Sequence, residues 1–155
     1  MKKLLFAITL IVVIPCMSCS SKPNAPAVSF SDVIEKEWKL IEVHIDGKNI
    51  NFDRNALADD GFGELFTLTF DNQNLSGVGA PNRYSVPYTQ EKDRALSVKL
   101  ARSTLMASIR EPEKLKEHDF FTYIQNVETW NLVDNNLELY SKTEAGAEVT
   151  LVFSL

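Results

Sequence analysis

From Glu37 to the C-terminus, apolar residues recur at every second position in short runs, and clusters of Asn, Asp and Gly separate the runs. That pattern predicts antiparallel strands joined by tight turns. Trp38 and Leu40 alternate, but Ile41, Val43 and Ile45 alternate in the opposite phase, so a strand with a bulge is expected at Leu40-Ile41. Asp46-Gly47 predicts a hairpin leading into Asn49–Phe52. Arg54 to Gly63 is polar, ends in glycines and reads as a loop with room for one helical turn. Phe66, Leu68 and Phe70 then share one face of a strand, Asp71 to Asn74 turns the chain, and Leu75 to Gly79 returns it. Pro81 to Pro87 is expected to be a loop or irregular strand, because proline interrupts ladders. Leu96, Val98 and Leu100 mark another strand within residues 95–101.

One stretch changes period. Glu111-Pro112-Glu113 has the proline and acids favoured in a first helical turn. Leu115, Phe120, Phe121, Ile124 and Val127 supply the apolar face of a helix of about 14 residues. Alternation resumes at Trp130 and Leu132, turns at Asn135-Asn136, returns through Leu137 and Leu139, turns at Ala145-Gly146, and closes with Val149, Leu151 and Phe153. Short links force antiparallel pairing, and a lone amphipathic helix needs a sheet to cover its apolar face. The fold class expected is α+β: a curved antiparallel sheet of about seven to eight strands, a half-barrel, wrapped around one main helix.

The first residues follow neither period. Met1-Lys2-Lys3 is a positive start, and Leu4 to Ile14 is apolar except for Thr9. At 1.5 Å per residue that run covers roughly half of a bilayer core of ~30 Å, too short to span it and suited to a signal peptide. Pro15 to Ser21 resembles the lipobox of bacterial lipoproteins. Cys19, with Ser18 before it and serines after it, is the expected acylated residue; Cys16 is the alternative, with Pro15 unfavourable for cleavage. Unacylated, these thiols would be a redox liability in an oxidising compartment. Residues 1–19 are therefore expected to be a lipoprotein signal peptide, residues 20–32 a Ser/Pro/Ala-rich flexible tether, and residues 33–155 the folded domain.

Composition narrows the partners. The whole chain carries a net charge of −5, and loss of Lys2 and Lys3 makes the mature part more negative still. That sign argues against nucleic-acid binding, which needs a basic surface. Both cysteines lie in the leader, so the domain has no internal disulfide and no thiolate metal ligand.

Certain residues, in order, carry a resemblance. Trp38-Lys39-Leu40 opens the domain, and Leu68-Thr69-Phe70-Asp71 runs into Ser76-Gly77. Gly79-Ala80-Pro81-Asn82-Arg83-Tyr84 and Ser103-Thr104-Leu105-Met106-Ala107 follow, and Leu137-Glu138-Leu139 and Leu151-Val152-Phe153 close it. This set, over roughly residues 37–153, resembles the META domain or heat-shock HslJ-like family. The resemblance implies a cracked half-barrel around a helix, and hints at a role in envelope stress tolerance or secretion. Typical members of that family carry a cysteine just before the loop asparagine and another after the Thr-x-Met-Ala turn, apparently as a disulfide pair. Here those positions hold Pro81 and Ser108, and the paired absence is what a bonded pair predicts. A disulfide contributes roughly 2–4 kcal/mol, which this chain must find in packing and in the stiffness of Pro81.

Catalytic patterns are weak. His44 and His118 are the only histidines, without metal-ligand spacing, so no metal site or cofactor is expected. Leu75-Ser76-Gly77-Val78-Gly79 lacks the first glycine of a nucleophile elbow. Asp59-Asp60 reads as a loop, and the acids from Glu111 to Glu117 as a solvated helix face. Trp38, Trp130 and Phe120-Phe121 read as core. Asn82, Arg83 and Tyr84 form the candidate binding loop. The plainer alternative is an asparagine satisfying loop backbone, an arginine paired with a nearby acid and a tyrosine packed on the sheet. The expected function is that of a non-enzymatic, monomeric binding module. It would be held by its lipid in the bacterial envelope, at the outer membrane facing the periplasm or the surface. Its contact would be an envelope protein or an apolar ligand, received on the half-barrel surface or in the gap between helix and sheet. The alternatives are a hydrolase acting on envelope material and a purely structural envelope protein.

Overall fold

A computed structural model of the chain describes residues 28–106 and 112–155. The leader, Cys16, Cys19, most of the expected tether and Ser108 lie outside the described residues. The elements are β1 (Trp38–Ile45), β2 (Lys48–Asn51), α1 (Arg54–Asp59), β3 (Thr67–Phe70), β4 (Asn74–Val78), β5 (Arg83–Gln90) and β6 (Leu96–Val98). They continue with β7 (Arg102–Ser103), α2 (Glu117–Gln125), β8 (Thr129–Val133), β9 (Asn136–Lys142) and β10 (Glu148–Ser154).

All the pairings are antiparallel. The strands run in the order β6-β5-β4-β3-β1-β10-β9-β8, with β2 attached to β1 and β7 to β5. The two ends of this path meet. Ala95 bridges to Thr129, and the Leu96 N–H donates to Glu128 O at 2.8 Å. The sheet is thus a nearly closed half-barrel, as the alternation implies, and closure at this seam shortens its exposed edges.

β1 is the pivot because of its bulge. Register shifts between Leu40 and Glu42, at the phase slip visible in the sequence. Before the bulge Trp38 and Lys39 face β3; after it Glu42 to Ile45 face β2. The Ile41 carbonyl accepts from Phe52 N at 2.8 Å, so the bulge is not left unbonded. Asp46 and Gly47 have φ of 49° and 71°, the left-handed pair a two-residue hairpin requires.

The core lies between this sheet and α2. Phe66, Phe70, Leu75, Phe153 and Leu151 are fully buried from the sheet, and Phe120 and Ile124 from α2. Phe120 lies 5.1 Å from Phe66 and 5.8 Å from Tyr84, centroid to centroid. The gap between helix and sheet is therefore filled by side chains. Trp38 and Trp130 are also core residues.

Several boundaries differ from expectation. The strand expected within residues 95–101 ends at Val98, leaving Leu100 exposed, and β3 starts at Thr67, with Phe66 just before it at φ 53°. α2 starts at Glu117 rather than Glu111: Lys116 is extended at ψ 148°, and residues 113–115 form a turn that buries Leu115. Proline and acids suit a turn as well as a helix start. The stretch 83–90 is a regular strand, not a loop. Pro87 falls between the part of β5 paired with β7 and the part paired with β6, so its missing N–H breaks no ladder. The tether was expected to reach residue 32, whereas Phe30–Asp32 already form a 3-10 turn, with the Phe30 ring packed on Phe70, Tyr88 and Trp130.

Candidate functional site

The loop from β4 to β5 is built around glycines that cannot carry a side chain. A Cβ on Gly77 would stand 2.0 Å from the Thr67 carbonyl, and one on Gly79 would stand 2.6 Å from the Phe121 ring. Gly79 N donates to Asn82 O at 2.6 Å, tightening the loop. The Ala80-Pro81 peptide is cis.

Asn82 is the hub, 6% exposed and with its amide fully engaged. Its Nδ2 donates to Glu117 Oε2 at 2.7 Å and to Met106 O at 3.1 Å. Its Oδ1 accepts from Met106 N at 2.7 Å and Thr104 Oγ1 at 2.8 Å. Both donors and both acceptor sites of the amide are thereby filled. Glu117 Oε1 accepts from Ala80 N at 2.5 Å and Asn82 N at 2.6 Å. One carboxylate at the first turn of α2 thus ties the helix to the loop, a position its charge also favours.

The members of the sequence-derived trio separate from here. Tyr84 is buried, donates to Thr67 O at 2.8 Å and packs on Phe121 at 5.4 Å. Burial pushes its hydroxyl well above the ordinary tyrosine range. Arg83 points outward and is exposed. Its backbone pairs with Thr104, accepting at 3.0 Å and donating to Oγ1 at 3.1 Å. Immediately beyond Thr104, Leu105 is 98% and Met106 60% exposed. Asn82 and Tyr84 therefore hold the loop, and Arg83 is the member available for contact.

Two residues that complete this end of the molecule were not singled out from sequence. Glu117 was read within a solvated acidic face; instead its carboxylate turns inward. Arg54 donates to three carbonyls, Gly63 O at 2.6 Å, Leu65 O at 3.1 Å and Leu40 O at 3.4 Å, pinning β1 to the chain before β3. Burial lowers its pKa, while the charges of Glu64 and Glu37 oppose that shift. A lone arginine after a capping Asp53 carries no sequence signal for such reach.

The histidines sit on the surface. His44 Nε2 lies 2.7 Å from Glu42 Oε2, and His118 Nε2 3.7 Å from Glu144 Oε1, with all four side chains at least one-third exposed. Each has a carboxylate partner, but neither pair is enclosed. Among the described residues no group of three or more His, Cys, Asp or Glu could hold a metal ion.

The fold and site together define a small half-barrel protein whose polar centre is a structural latch beside an exposed basic and apolar face. The META domain family model matches residues 31–154, and the chain belongs to that family. Two solved structures are similar in fold. One is an NMR structure of a protein from Burkholderia xenovorans, with TM-score 0.53, 21% identity, and 86% of this chain and 97% of that one covered. The other is a crystal structure of a DUF4847 family protein from Bacteroides vulgatus, with TM-score 0.50, 14% identity, and 81% and 95% covered. No curated protein matches.

Proposed function

We propose that this chain is a bacterial envelope lipoprotein, anchored through Cys19, whose META domain works by contact rather than turnover and serves stress tolerance or secretion at the envelope. The observation that carries the contact reading is the face made by Arg83, Leu105 and Met106. Asn82 holds the Met106 backbone by two hydrogen bonds while the apolar side chains beside it stay in water. Exposed large apolar groups next to an outward cation are the usual make-up of a protein-binding patch. The part-buried Asn82–Glu117 latch supports this reading, since it holds the face in place and leaves none of its own polar groups free for chemistry.

The anchor rests on the leader sequence alone. Labelled palmitate should enter the wild type and the Cys16→Ala variant and be absent from Cys19→Ala; the reverse pattern would move the cleavage site. For the contact reading, envelopes cross-linked in the cell should yield a specific adduct with wild type. Arg83→Ala and Leu105→Ser should lose it while folding normally. An adduct equally strong in all three would sink the assignment of this face.

A further inference from the structure

The N-terminal turn is held to the half-barrel by apolar contact alone. Among the described residues, the hydrogen bonds of residues 28–32 stay within the turn or reach only Val33 and Ile34. Ser29 N donates to Asp32 Oδ2 at 3.0 Å, Asp32 N to Ser29 O at 3.0 Å, and Val33 N and Ile34 N to Phe30 O at 2.9 and 3.2 Å. The principal hold on the sheet is the Phe30 ring. It enters a slot walled by Phe70, Tyr88 and Trp130, with centroids at 5.2, 5.9 and 5.0 Å. The walls are supported without it: Phe70 and Tyr88 meet edge to face at 5.1 Å, and Tyr88 OH donates to Asp71 O at 2.6 Å. The first backbone bond to the sheet comes at Glu35, whose N–H meets Phe70 O at 2.8 Å and whose φ is 61°. A non-glycine residue in the left-handed region marks a strained joint between turn and barrel.

The far wall of the slot has an unmet demand. Trp130 is 2% exposed, and its Nε1 is buried with no hydrogen-bond partner among the described residues. The Arg94 guanidinium lies 5.7 Å from the centre of the same indole but is committed to a hydrogen bond with Asn131 Oδ1, on the opposite face of β8. Beside the slot opens a concavity of about 640 Å³ lined in part by Phe30, Ile34, Tyr88 and Lys99. An aromatic slot, an orphan donor and the Lys99 ammonium on the adjoining concavity describe a site for a flat ring carrying an anionic acceptor.

We propose that Phe70, Tyr88 and Trp130 form a binding slot for a small aromatic carboxylate, and that Phe30 is its resident occupant, displaced when the ligand enters. The ligand's ring takes the place of the phenyl ring. Its carboxylate accepts from Trp130 Nε1, with Lys99 supplying positive charge from the concavity. Displacement exchanges one set of apolar contacts for another and breaks no hydrogen bond between turn and sheet. What the ligand adds is the bond the indole now lacks.

Phenylacetate is a suitable probe, titrated into the full ¹⁵N-labelled chain in detergent. The chain has two tryptophans, so two indole N–H signals report. Trp38 Nε1 already donates to Val33 O at 2.9 Å and should hold its position. The Trp130 signal should move downfield saturably in the wild type. Phe30→Ala should bind about tenfold more tightly, since a resident competitor lowers apparent affinity. Toluene, which lacks the carboxylate, should bind about tenfold more weakly than phenylacetate, because it cannot accept from the indole. Arg83→Ala should bind as wild type does, which separates this slot from the contact face. A static Trp130 signal in the wild type overturns the proposal. So does binding confined to Phe30→Ala, which would mean a cavity made by the substitution, or equal affinity for toluene.

Discussion

Glu117 and Asn82 are joined twice: one carboxylate oxygen accepts from the Asn82 backbone at 2.6 Å and the other from its side-chain amide at 2.7 Å. The pair spans 35 residues of chain and fixes the start of α2 against the β4–β5 loop. Removing the Asn82 side chain leaves the Met106 N and Thr104 Oγ1 donors, the Met106 carbonyl and Glu117 Oε2 without their partner in a semi-buried setting.

Asn82→Ala should therefore destabilise the domain by about 2–3 kcal/mol, the cost of stranded buried polar groups. Glu117→Gln places an amide opposite the Asn82 amide and should cost about 2 kcal/mol. Arg83→Ala, between them in the fold but outward-facing, should stay within about 0.5 kcal/mol of wild type. Urea midpoints at constant slope check all three, and a large effect at Arg83 would mean that it, too, is structural.

Two glycines should respond on different scales. Gly77→Ala drives a Cβ to within 2.0 Å of Thr67 O, a backbone atom fixed between β3 and β4. The strands must part, at about 3 kcal/mol or more. Gly47→Ala meets nothing within 4 Å and suffers only its φ of 71°, so about 1 kcal/mol is expected. Guanidinium unfolding of both variants would show whether close approach outweighs backbone strain here.

Alkaline stability should depend on Tyr84. Its folded pKa is raised by burial, so the fold favours the protonated hydroxyl. An unfolded tyrosine ionises near pH ~10. The contribution is full below that pH and is lost as pH rises above it, because only the unfolded chain then sheds the proton. Tyr88, Tyr123 and Tyr140 are shifted the same way and add to the slope. Tyr84→Phe should lose about 1 kcal/mol at neutral pH, with its bond to Thr67, and show a shallower decline above pH ~10. An unchanged alkaline slope in urea midpoints would contradict the burial of that hydroxyl.

Arg54→Lys should not be conservative. A planar guanidinium reaches three carbonyls on two chain segments, whereas an ammonium is a single point. About 2 kcal/mol should be lost, and amide exchange should quicken at the Leu40 and Phe66 N–H groups, which the pinned backbone now protects.

Much of the fold was readable because strand periodicity is local. Phe66, Leu68 and Phe70 alternate in sequence and are all buried. The phase slip at Leu40-Ile41 appears as the bulge. The hairpin signal of Asp46-Gly47 needs only the φ preferences of two residues. The site was less legible. Asn82, Arg83 and Tyr84 were found as a trio, yet consecutive residues of a strand face opposite ways, and only the assembled sheet shows which side faces water, leaving Arg83 alone outward. Glu117 looked like any acid of a helix start.

By itself, the sequence determined the α+β class, most of the strands and turns, and the general place of the helix, since each follows from composition or from contacts within a few residues. Only the tertiary structure decided the starting residue of α2, the regularity of β5, the closure of the sheet at Ala95 and Thr129, and the seat of Phe30 against Trp130. Apart from β5, whose neighbours lie nearer in sequence, these depend on partners far along the chain, brought together by burial of a shared core, and no local pattern encodes which distant carbonyl or ring will be there.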